Sequence, residues 1–172
     1  MSATIRVEVH GRTHLLVFQR PEVRNAWSEQ MHREYLDALD AAMADPGVSA
    51  VVVTGGPDAF SAGADFARLE ESVRHGWRPY DDPRPLHHPL GLPKPIIACV
   101  NGPAVGLGLV QAAFCDLRVV SEGARFDAAF PRLGLVAEHG LAWLLPRLIG
   151  TSVAMQVLLA DQSLDARRSV DV

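Results

Sequence analysis

The sequence has few cysteines, no excess of positive charge and no long apolar run, and each of these absences excludes a class of protein. Only Cys99 and Cys115 are cysteines, both among apolar residues, so we expect reduced thiols in a cytoplasmic protein and disfavour a disulfide. The formal net charge of -4 argues against a nucleic-acid-binding surface. No apolar stretch approaches the roughly 18 residues that span a membrane. Residues 1–10 alternate like a strand and do not resemble a signal peptide.

The remaining composition is that of an ordinary globular protein. Of the 172 residues, 48% are hydrophobic and 21% are charged, and no internal repeat or low-complexity tract is present. This length is enough for one domain with a buried core. We therefore expect residues 1–172 to form a single domain that binds neither nucleic acid nor a membrane.

Hydrophobic periodicity predicts an α/β fold. Residues 4–18 alternate around Gly11 and predict a hairpin. Ser28 is a suitable N-cap for a helix that would end before Pro46, with apolar residues on one face: Met31, Tyr35, Leu39 and Met43. The run 48–54 predicts a strand buried on both faces, residues 117–120 predict another strand, and residues 141–149 and 151–159 predict two helices. Strands that alternate with helices are typical of crossover connections.

The stretch 101–116 is the most informative part of the sequence. A short apolar strand over residues 95–100 runs into a turn with Gly102, Gly106 and Gly108, and a helix of small residues follows from about Val105. The first N–H groups of such a helix have no partner within it, and the helix dipole adds positive potential. This turn can therefore hold a negatively charged oxygen that forms during a reaction. The alternative is a buried packing helix whose glycines only permit close approach.

Residues 70–95 are rich in proline and have little periodicity. They predict a loop with room for one short helix, and such a loop is suited to a mobile lid or a variable pocket wall. His87 and His88 could ligate a metal, but no cysteine or carboxylate at suitable spacing supports such a site. We therefore prefer a solvated loop and expect no metal.

Three stretches, residues 20–26, 60–65 and 101–108, together resemble the crotonase superfamily, which is the enoyl-CoA hydratase/isomerase family. The resemblance covers nearly the whole chain and implies an α/β spiral of repeated ββα units, an acyl-CoA substrate, and a homotrimer or homohexamer. It implies no separate cofactor, because coenzyme A is part of the substrate. It also implies an oxyanion hole for the thioester carbonyl, in which the donors are the backbone N–H groups of Ala64 and Leu107.

By the same resemblance, residues of these motifs bind the acyl-CoA: Arg24, Ala26, Ser61, Ala62, Gly63, Ala64, Asp65, Gly106 and Leu107. Gly63 would let the backbone approach closely. Asp65 is expected to cap or brace its turn, without a role in the chemistry. Arg20, Arg24 and Lys94 are candidates for binding the CoA phosphates, although single basic residues are usually only solvated.

The acid–base residues depart from the pattern of the family's hydratases, which use two glutamates. The corresponding positions here are Val110 and Phe130, and neither side chain can transfer a proton. Glu138 lies in a segment that resembles the place of the single acidic base in the family's enoyl-CoA isomerases and ring-epoxide isomerases. One carboxylate is enough for a 1,3 proton shift. His139 either tunes Glu138 or faces solvent, and Glu138 could itself be a solvated loop carboxylate.

The end of the sequence also differs from the family, whose members carry a further C-terminal helical segment after the equivalent of residues 164–166. We therefore expect a crotonase-like fold truncated at the C-terminus, with apolar surface for another subunit to cover. The preferred function is isomerisation of an acyl-CoA with Glu138 as the base. Enoyl-CoA hydratase activity and a non-catalytic acyl-CoA-binding or assembly subunit are the alternatives.

Overall fold

The computed structural model describes residues 2–76, 78 and 80–172. Within these residues the chain forms eight strands: β1 (Ile5–His10), β2 (Thr13–Phe18), β3 (Ala50–Thr54), β4 (Ile96–Val100), β5 (Pro103–Val105), β6 (Leu117–Val120), β7 (Arg125–Asp127) and β8 (Leu164–Asp165). The same residues form six α-helices: α1 (Glu29–Ala44), α2 (Phe66–His75), α3 (Leu107–Phe114), α4 (Leu141–Ile149), α5 (Thr151–Leu158) and α6 (Ala166–Val170). Short 3₁₀ turns cover Pro21–Val23, His88–Gly91 and Pro131–Leu133.

The larger sheet has the strand order β1-β2-β3-β4-β6. Strands β1 and β2 form the antiparallel hairpin predicted from residues 4–18, and β2, β3, β4 and β6 are parallel neighbours. Parallel neighbours need crossover connections, and here these connections contain α1, α2 and α3 in turn. The predicted α/β class is confirmed.

Helix α1 begins and ends as its sequence predicts. The Ser28 hydroxyl accepts a hydrogen bond from the Met31 N–H at 3.2 Å, which satisfies one of the free donors of the first turn. The helix ends two residues before Pro46. Met31, Tyr35 and Leu39 are fully buried against the sheet, so the apolar face was identified correctly.

An aromatic cluster ties α1 to the larger sheet and to the segment before α2. The Phe18 ring meets the rings of Trp27, Tyr35 and Phe60 edge to face, with centroid distances of 5.5, 5.9 and 5.2 Å. Each such pair contributes about 0.5–1.5 kcal/mol beyond its buried area. The cluster fixes residues 27 and 60, which flank the segments of the candidate site.

The prediction that the strand over residues 48–54 is buried on both faces was wrong. Val51 and Val53 are buried under the helices, whereas Val52 on the opposite face is only half-buried. That opposite face continues onto β6, where Leu117 and Val119 are each 60% exposed. The helices therefore cover one face of the larger sheet.

A smaller sheet with the order β5-β7-β8 was not predicted. Strand β5 lies inside the glycine turn of residues 101–108 and pairs with β7 in parallel. The predicted loop 70–95, for which one short helix was allowed, contains the end of α2, which continues to His75. Trp77 and Pro79 of that loop lie outside the described residues.

Cys99 and Cys115 are both free, which confirms the expected thiols. Among the described residues, no helix has the length and apolar character needed to span a membrane.

Candidate active site

The turn of residues 60–65 and the turn of residues 103–108 contact each other backbone to backbone. Ser61 and Ala104 form a parallel β-bridge, and the Val105 N–H donates to the Ser61 carbonyl at 2.9 Å. The N–H groups of Phe60 and Ser61 share the Pro103 carbonyl as acceptor, at 3.0 and 3.2 Å. Two of the three motifs are thus adjacent in space.

Glycines make this contact possible. A Cβ at Gly63 would lie 2.8 Å from the Val105 carbonyl oxygen and 3.6 Å from the Leu107 nitrogen, and the residue has a left-handed φ of 97°. A Cβ at Gly108 would lie 2.4 Å from the Ser61 carbonyl oxygen. A Cβ does not fit at 2.8 Å or at 2.4 Å from a carbonyl oxygen. Positions 63 and 108 therefore both require glycine for the close approach of the two backbones.

The N–H groups of Ala64 and Leu107 have no acceptor within the described chain. Around Ala64 the backbone pairs with Trp27 through its neighbours: the Trp27 N–H donates to Gly63 at 2.6 Å, and the Asp65 N–H donates to Trp27 at 3.1 Å. This pairing leaves the Ala64 N–H on the other side of the chain. Leu107 is the first residue of α3, where N–H groups have no intrahelical partner. The two unpaired donors belong to the two turns in contact.

Asp127 supports the turn of residues 103–108 through hydrogen bonds, a role that the sequence analysis missed. Its carbonyl accepts the Gly106 N–H at 2.8 Å, and its buried carboxylate accepts the Ala129 N–H at 3.0 Å. Arg125 and Arg132 pair with the same carboxylate at 2.9 and 2.7 Å. A buried charge is stable only with such partners, but the partners could not be identified from sequence.

Asn25 joins the first motif to the second, and it too was missed. The residue is buried with a left-handed φ of 56°, and its amide nitrogen donates to the carbonyls of Ala59 and Phe60 at 3.1 and 3.3 Å. The Ser61 hydroxyl donates to the Asn25 carbonyl at 2.8 Å, and the Ala62 N–H donates to the Arg24 carbonyl at 2.9 Å. All three motifs therefore meet in one place.

The predicted binding residues differ in accessibility. Ala26, Ser61, Gly63 and Leu107 are buried, so any contact they make with a ligand is through the backbone at most. The more accessible residues of the set are Arg24 and Ala62, which are exposed, and Ala64, Asp65 and Gly106, which are half-buried.

Asp65 braces its turn as predicted. Its carboxylate caps α2 by accepting the Ala67 N–H at 3.0 Å. It also pairs with Arg20 at 2.7 Å, and Arg20 donates to the Ala26 carbonyl as well. The charge of Arg20 is therefore neutralised by an ion pair between the first motif and the second.

Lys94 lies elsewhere, where it donates to the Ala42 and Asp45 carbonyls at 2.7 and 2.6 Å at the C-terminal end of α1. Arg24 is exposed with a left-handed φ of 51°, and no hydrogen bond or ion pair of its guanidinium is found in the described part of the chain. Of the three basic candidates for the CoA phosphates, Arg24 has the most accessible charge.

The two positions that carry glutamate in the family's hydratases are part of the core. Val110 is 0% exposed and Phe130 is 6% exposed. Glu138 lies in the loop between the turn Pro131–Leu133 and α4, and its side chain is 44% exposed. Its carbonyl accepts the Leu141 N–H at 3.0 Å, which ties it to the first turn of α4.

His139 contacts Glu138, with 3.5 Å between Nε2 and Oε2. Burial lowers the pKa of His139. The carboxylate of Glu138 opposes this effect, and the positive charge of Arg68 reinforces it. Arg68 belongs to α2, which begins directly after Ala64 and Asp65.

Arg68 and Tyr80 contact each other through a cation–π interaction. The Arg68 guanidinium lies 3.8 Å from the centroid of the Tyr80 ring and pairs with Glu29 at 2.6 Å. The Tyr80 ring is 4.4 Å from the His32 ring. Within the described residues the Tyr80 hydroxyl and His32 Nδ1 are buried without a hydrogen-bond partner, and burial raises the pKa of Tyr80.

His88 pairs with Asp40 at 2.8 Å between Nε2 and Oδ1. In the part of the chain that the structure describes, no group of three or more metal-ligating side chains occurs.

Two cavities among the described residues lie away from Ala64, Leu107 and Glu138. One, of about 700 Å³, is at the ends of β2 and β3 beside Asn101, and the other, of about 360 Å³, is an apolar groove between α3, β6, α4 and α6.

Comparison with known sequences indicates the same family as the three motifs. The sequence profile of the enoyl-CoA hydratase/isomerase family matches residues 11–170. A relative from Thermus thermophilus, provisionally named an enoyl-CoA hydratase, is 40% identical over 167 residues, which are 92% of this chain. The 1,2-epoxyphenylacetyl-CoA isomerase of Escherichia coli is 31% identical over 165 residues, which are 90% of this chain. The chain spans 64% of the length of the first relative and 61% of the second.

Solved structures agree with the predicted crotonase-like fold. An enoyl-CoA hydratase from Polaromonas superposes with a TM-score of 0.86 at 30% identity, over 97% of this chain and 67% of that chain. A Pseudomonas aeruginosa protein superposes with a TM-score of 0.88 at 33% identity, over 98% of this chain and 74% of that chain. With the fold, the motifs and the profile in agreement over almost its whole length, the chain belongs to the enoyl-CoA hydratase/isomerase family.

Proposed function

We propose that the chain is an acyl-CoA enzyme that binds the thioester oxygen of its substrate between the N–H groups of Ala64 and Leu107. The observation that carries this proposal is the contact between the two turns, where Gly63 and Gly108 leave room for backbone alone. This contact brings together two donors that lack an acceptor within the described chain, one of them at the start of α3. Membership of the family supports an acyl-CoA thioester as the ligand, and no separate cofactor is required.

The chemistry that such a pair of donors supports is enolate formation. When a base removes a proton from C2 of an acyl-CoA, the electron pair of the C–H bond moves into the thioester and its oxygen becomes negatively charged. Two preorganised N–H groups stabilise this oxygen more than they stabilise the neutral carbonyl. The loss of one such donor typically costs about 3 kcal/mol, or roughly 10²-fold in rate.

Glu138 is the proposed base. In a 3-enoyl-CoA it takes the C2 proton, which gives a dienolate. It then returns the proton to C4 while the electron pairs shift to form the C2=C3 double bond. This isomerisation needs one carboxylate and no water. The apolar side chains of Val110 and Phe130 support it over a mechanism with two glutamates.

Hydration of a 2-enoyl-CoA is the second candidate, because several relatives carry hydratase names. It would require Glu138 to deprotonate water as its oxygen bonds to C3 and then to protonate C2. A non-catalytic acyl-CoA-binding or assembly subunit is the third candidate. It is supported by the same two apolar positions and by the exposure of Glu138.

We further propose that the protein is a cytoplasmic homotrimer or homohexamer. Exposed apolar side chains on the C-terminal helices support association with other copies: Trp143, Leu148, Met155, Leu159 and Val170. Sedimentation at micromolar concentration should show an assembly larger than a monomer, and a stable monomer would contradict this proposal.

The decisive experiment replaces Glu138 with Gln, which keeps the shape and removes the base. Isomerisation of a 3-enoyl-CoA should fall by roughly 10²–10⁴-fold while acyl-CoA binding is retained. Glu122→Gln is the matched control, because Glu122 is also an exposed loop glutamate, and it should keep the parental rate. An active Glu138→Gln protein would refute the assignment. A parent that hydrates 2-enoyl-CoA without isomerising would favour hydration, and one that only binds would favour the non-catalytic subunit.

A further inference from the structure

The proposed site contains one proton-transfer group, Glu138, and it lies on a loop with half of its side chain in contact with solvent. A carboxylate in that position samples several rotamers, and catalysis needs one orientation. The side chain that touches it is His139, with 3.5 Å between Nε2 and Oε2. The two atoms are in contact without forming a hydrogen bond, and contacts of catalytic groups often shorten into hydrogen bonds when substrate binds.

The backbone fixes where the imidazole lies. His139 has a left-handed φ of 56°, and the next residue, Gly140, also has a positive φ of 85°. Two consecutive residues in this region turn the chain sharply just before α4, for which Gly140 is the N-cap. A non-glycine residue pays a conformational cost in this region and stays there only where the surrounding structure holds it. The side chain of His139 is 21% exposed, so the ring is largely fixed by its neighbours.

Burial favours the neutral form of the ring, and the charged groups around it modify that preference. Glu138 faces it from its own loop, Arg68 from α2 and His87 from the segment before β4. Burial and the two basic neighbours together outweigh the carboxylate, so the pKa of His139 lies below its ordinary value of 6.5. A neutral imidazole carries one N–H and can donate a single hydrogen bond to a carboxylate.

We propose that His139 is a positioning residue whose Nε2–H holds Oε2 of Glu138, so that Oε1 is the oxygen that moves the substrate proton. The inference rests on the proposed role of Glu138 and adds a second group to that site. Protonation of His139 turns the contact into an ion pair that makes Glu138 a weaker base. The rate should therefore fall as the pH drops through the pKa of His139.

Two substitutions separate this role from a structural one. His139→Gly removes the ring and relieves the left-handed backbone, so it should fold. We expect its kcat for 3-enoyl-CoA isomerisation to fall roughly 10- to 100-fold with KM within about threefold of the parent. His139→Gln keeps an N–H donor of similar reach, so it should recover most of the kcat. The acid limb of its kcat–pH profile should move to lower pH, because glutamine does not titrate.

A titration that needs no turnover checks the contact itself. The NMR signal of His139, assigned by its absence in His139→Gln, should titrate at lower pH in Glu138→Gln than in the parent, because the carboxylate that favours the imidazolium is gone. An unchanged titration would overturn the contact. A His139→Gly protein with the parental kcat and pH profile would overturn the role while leaving Glu138 as the base. A Glu138→Gln protein with the parental rate would instead overturn the proposed function, and this inference with it.

Discussion

Replacing Gly108 with Ala tests whether the contact between the two turns controls both stability and chemistry. Helix propensity alone predicts that alanine on α3 stabilises the protein by up to about 1 kcal/mol. The structure predicts the opposite sign, because the new Cβ would lie 2.4 Å from the Ser61 carbonyl oxygen and 3.0 Å from the Ser61 Cβ. Overpacking costs about 1–3 kcal/mol, and an overlap with backbone belongs at the upper end. The net expectation is a loss of about 2 kcal/mol.

The same substitution should impair catalysis. Relief of the overlap means lengthening the 2.4 Å separation to an ordinary contact, a movement of about 1 Å between turns that carry the Ala64 and Leu107 N–H groups. Misplacement on this scale costs roughly 10- to 100-fold in kcat. Urea unfolding and 3-enoyl-CoA turnover measure the two effects. Gly123→Ala is the matched control, because no atom lies within 4 Å of its added Cβ. A Gly108→Ala protein as stable and active as the parent would refute the reasoning.

The other predictions concern buried polar contacts. Arg84→Leu should lower the free energy of unfolding at pH 7 by about 2–3 kcal/mol, because Arg84 pairs with Asp37, Asp40 and the nearly buried Asp82. Hydrogen bonds from Arg84 hold the pKa of Asp82 well below its ordinary 3.8, so this stabilisation is present above that pH and lost as the pH falls. Urea unfolding at pH 7 and pH 3 should therefore show a smaller pH dependence in the variant. Asn25→Asp keeps the left-handed backbone but replaces the N–H donor to the Ala59 and Phe60 carbonyls with an oxygen. It should lower the free energy of unfolding, measured with urea, by about 3 kcal/mol. Equal stability in either case would contradict the assigned contacts.

Local patterns predicted the elements that depend on neighbours in sequence. The hairpin of β1 and β2 and the helix capped by Ser28 each contain enough residues for a periodicity to be visible. The smaller sheet was missed because its strands have two or three residues, which is too few for a period of two to be recognised. The second face of β3 was assigned wrongly because the burial of a strand depends on what lies across the sheet.

Charged residues were hard to interpret for a related reason. Arg20 and Lys94 were candidates for phosphate binding, but Arg20 pairs with Asp65 and Lys94 binds carbonyls at the end of α1. Asp127 carried no signal at all, although it holds the turn before α3. Each partner is distant in sequence or in another element, so the charge of a side chain alone does not indicate whether that charge is available to a ligand.

The two parts of the proposed mechanism therefore differ in how well each can be predicted from the sequence. The proposed oxyanion donors are backbone groups, and what they require of the sequence is the absence of side chains at positions 63 and 108. Glycines in a motif indicate that requirement, so the close contact of the two turns could be predicted before the fold was known. The proton-transfer group is a side chain whose usefulness depends on where its loop points it. Glu138 is the proposed proton-transfer group, and in the proposal its orientation depends on His139, a neighbour with a left-handed backbone. Substitutions at 138 and 139 consequently test the part of the mechanism that the backbone geometry does not already constrain.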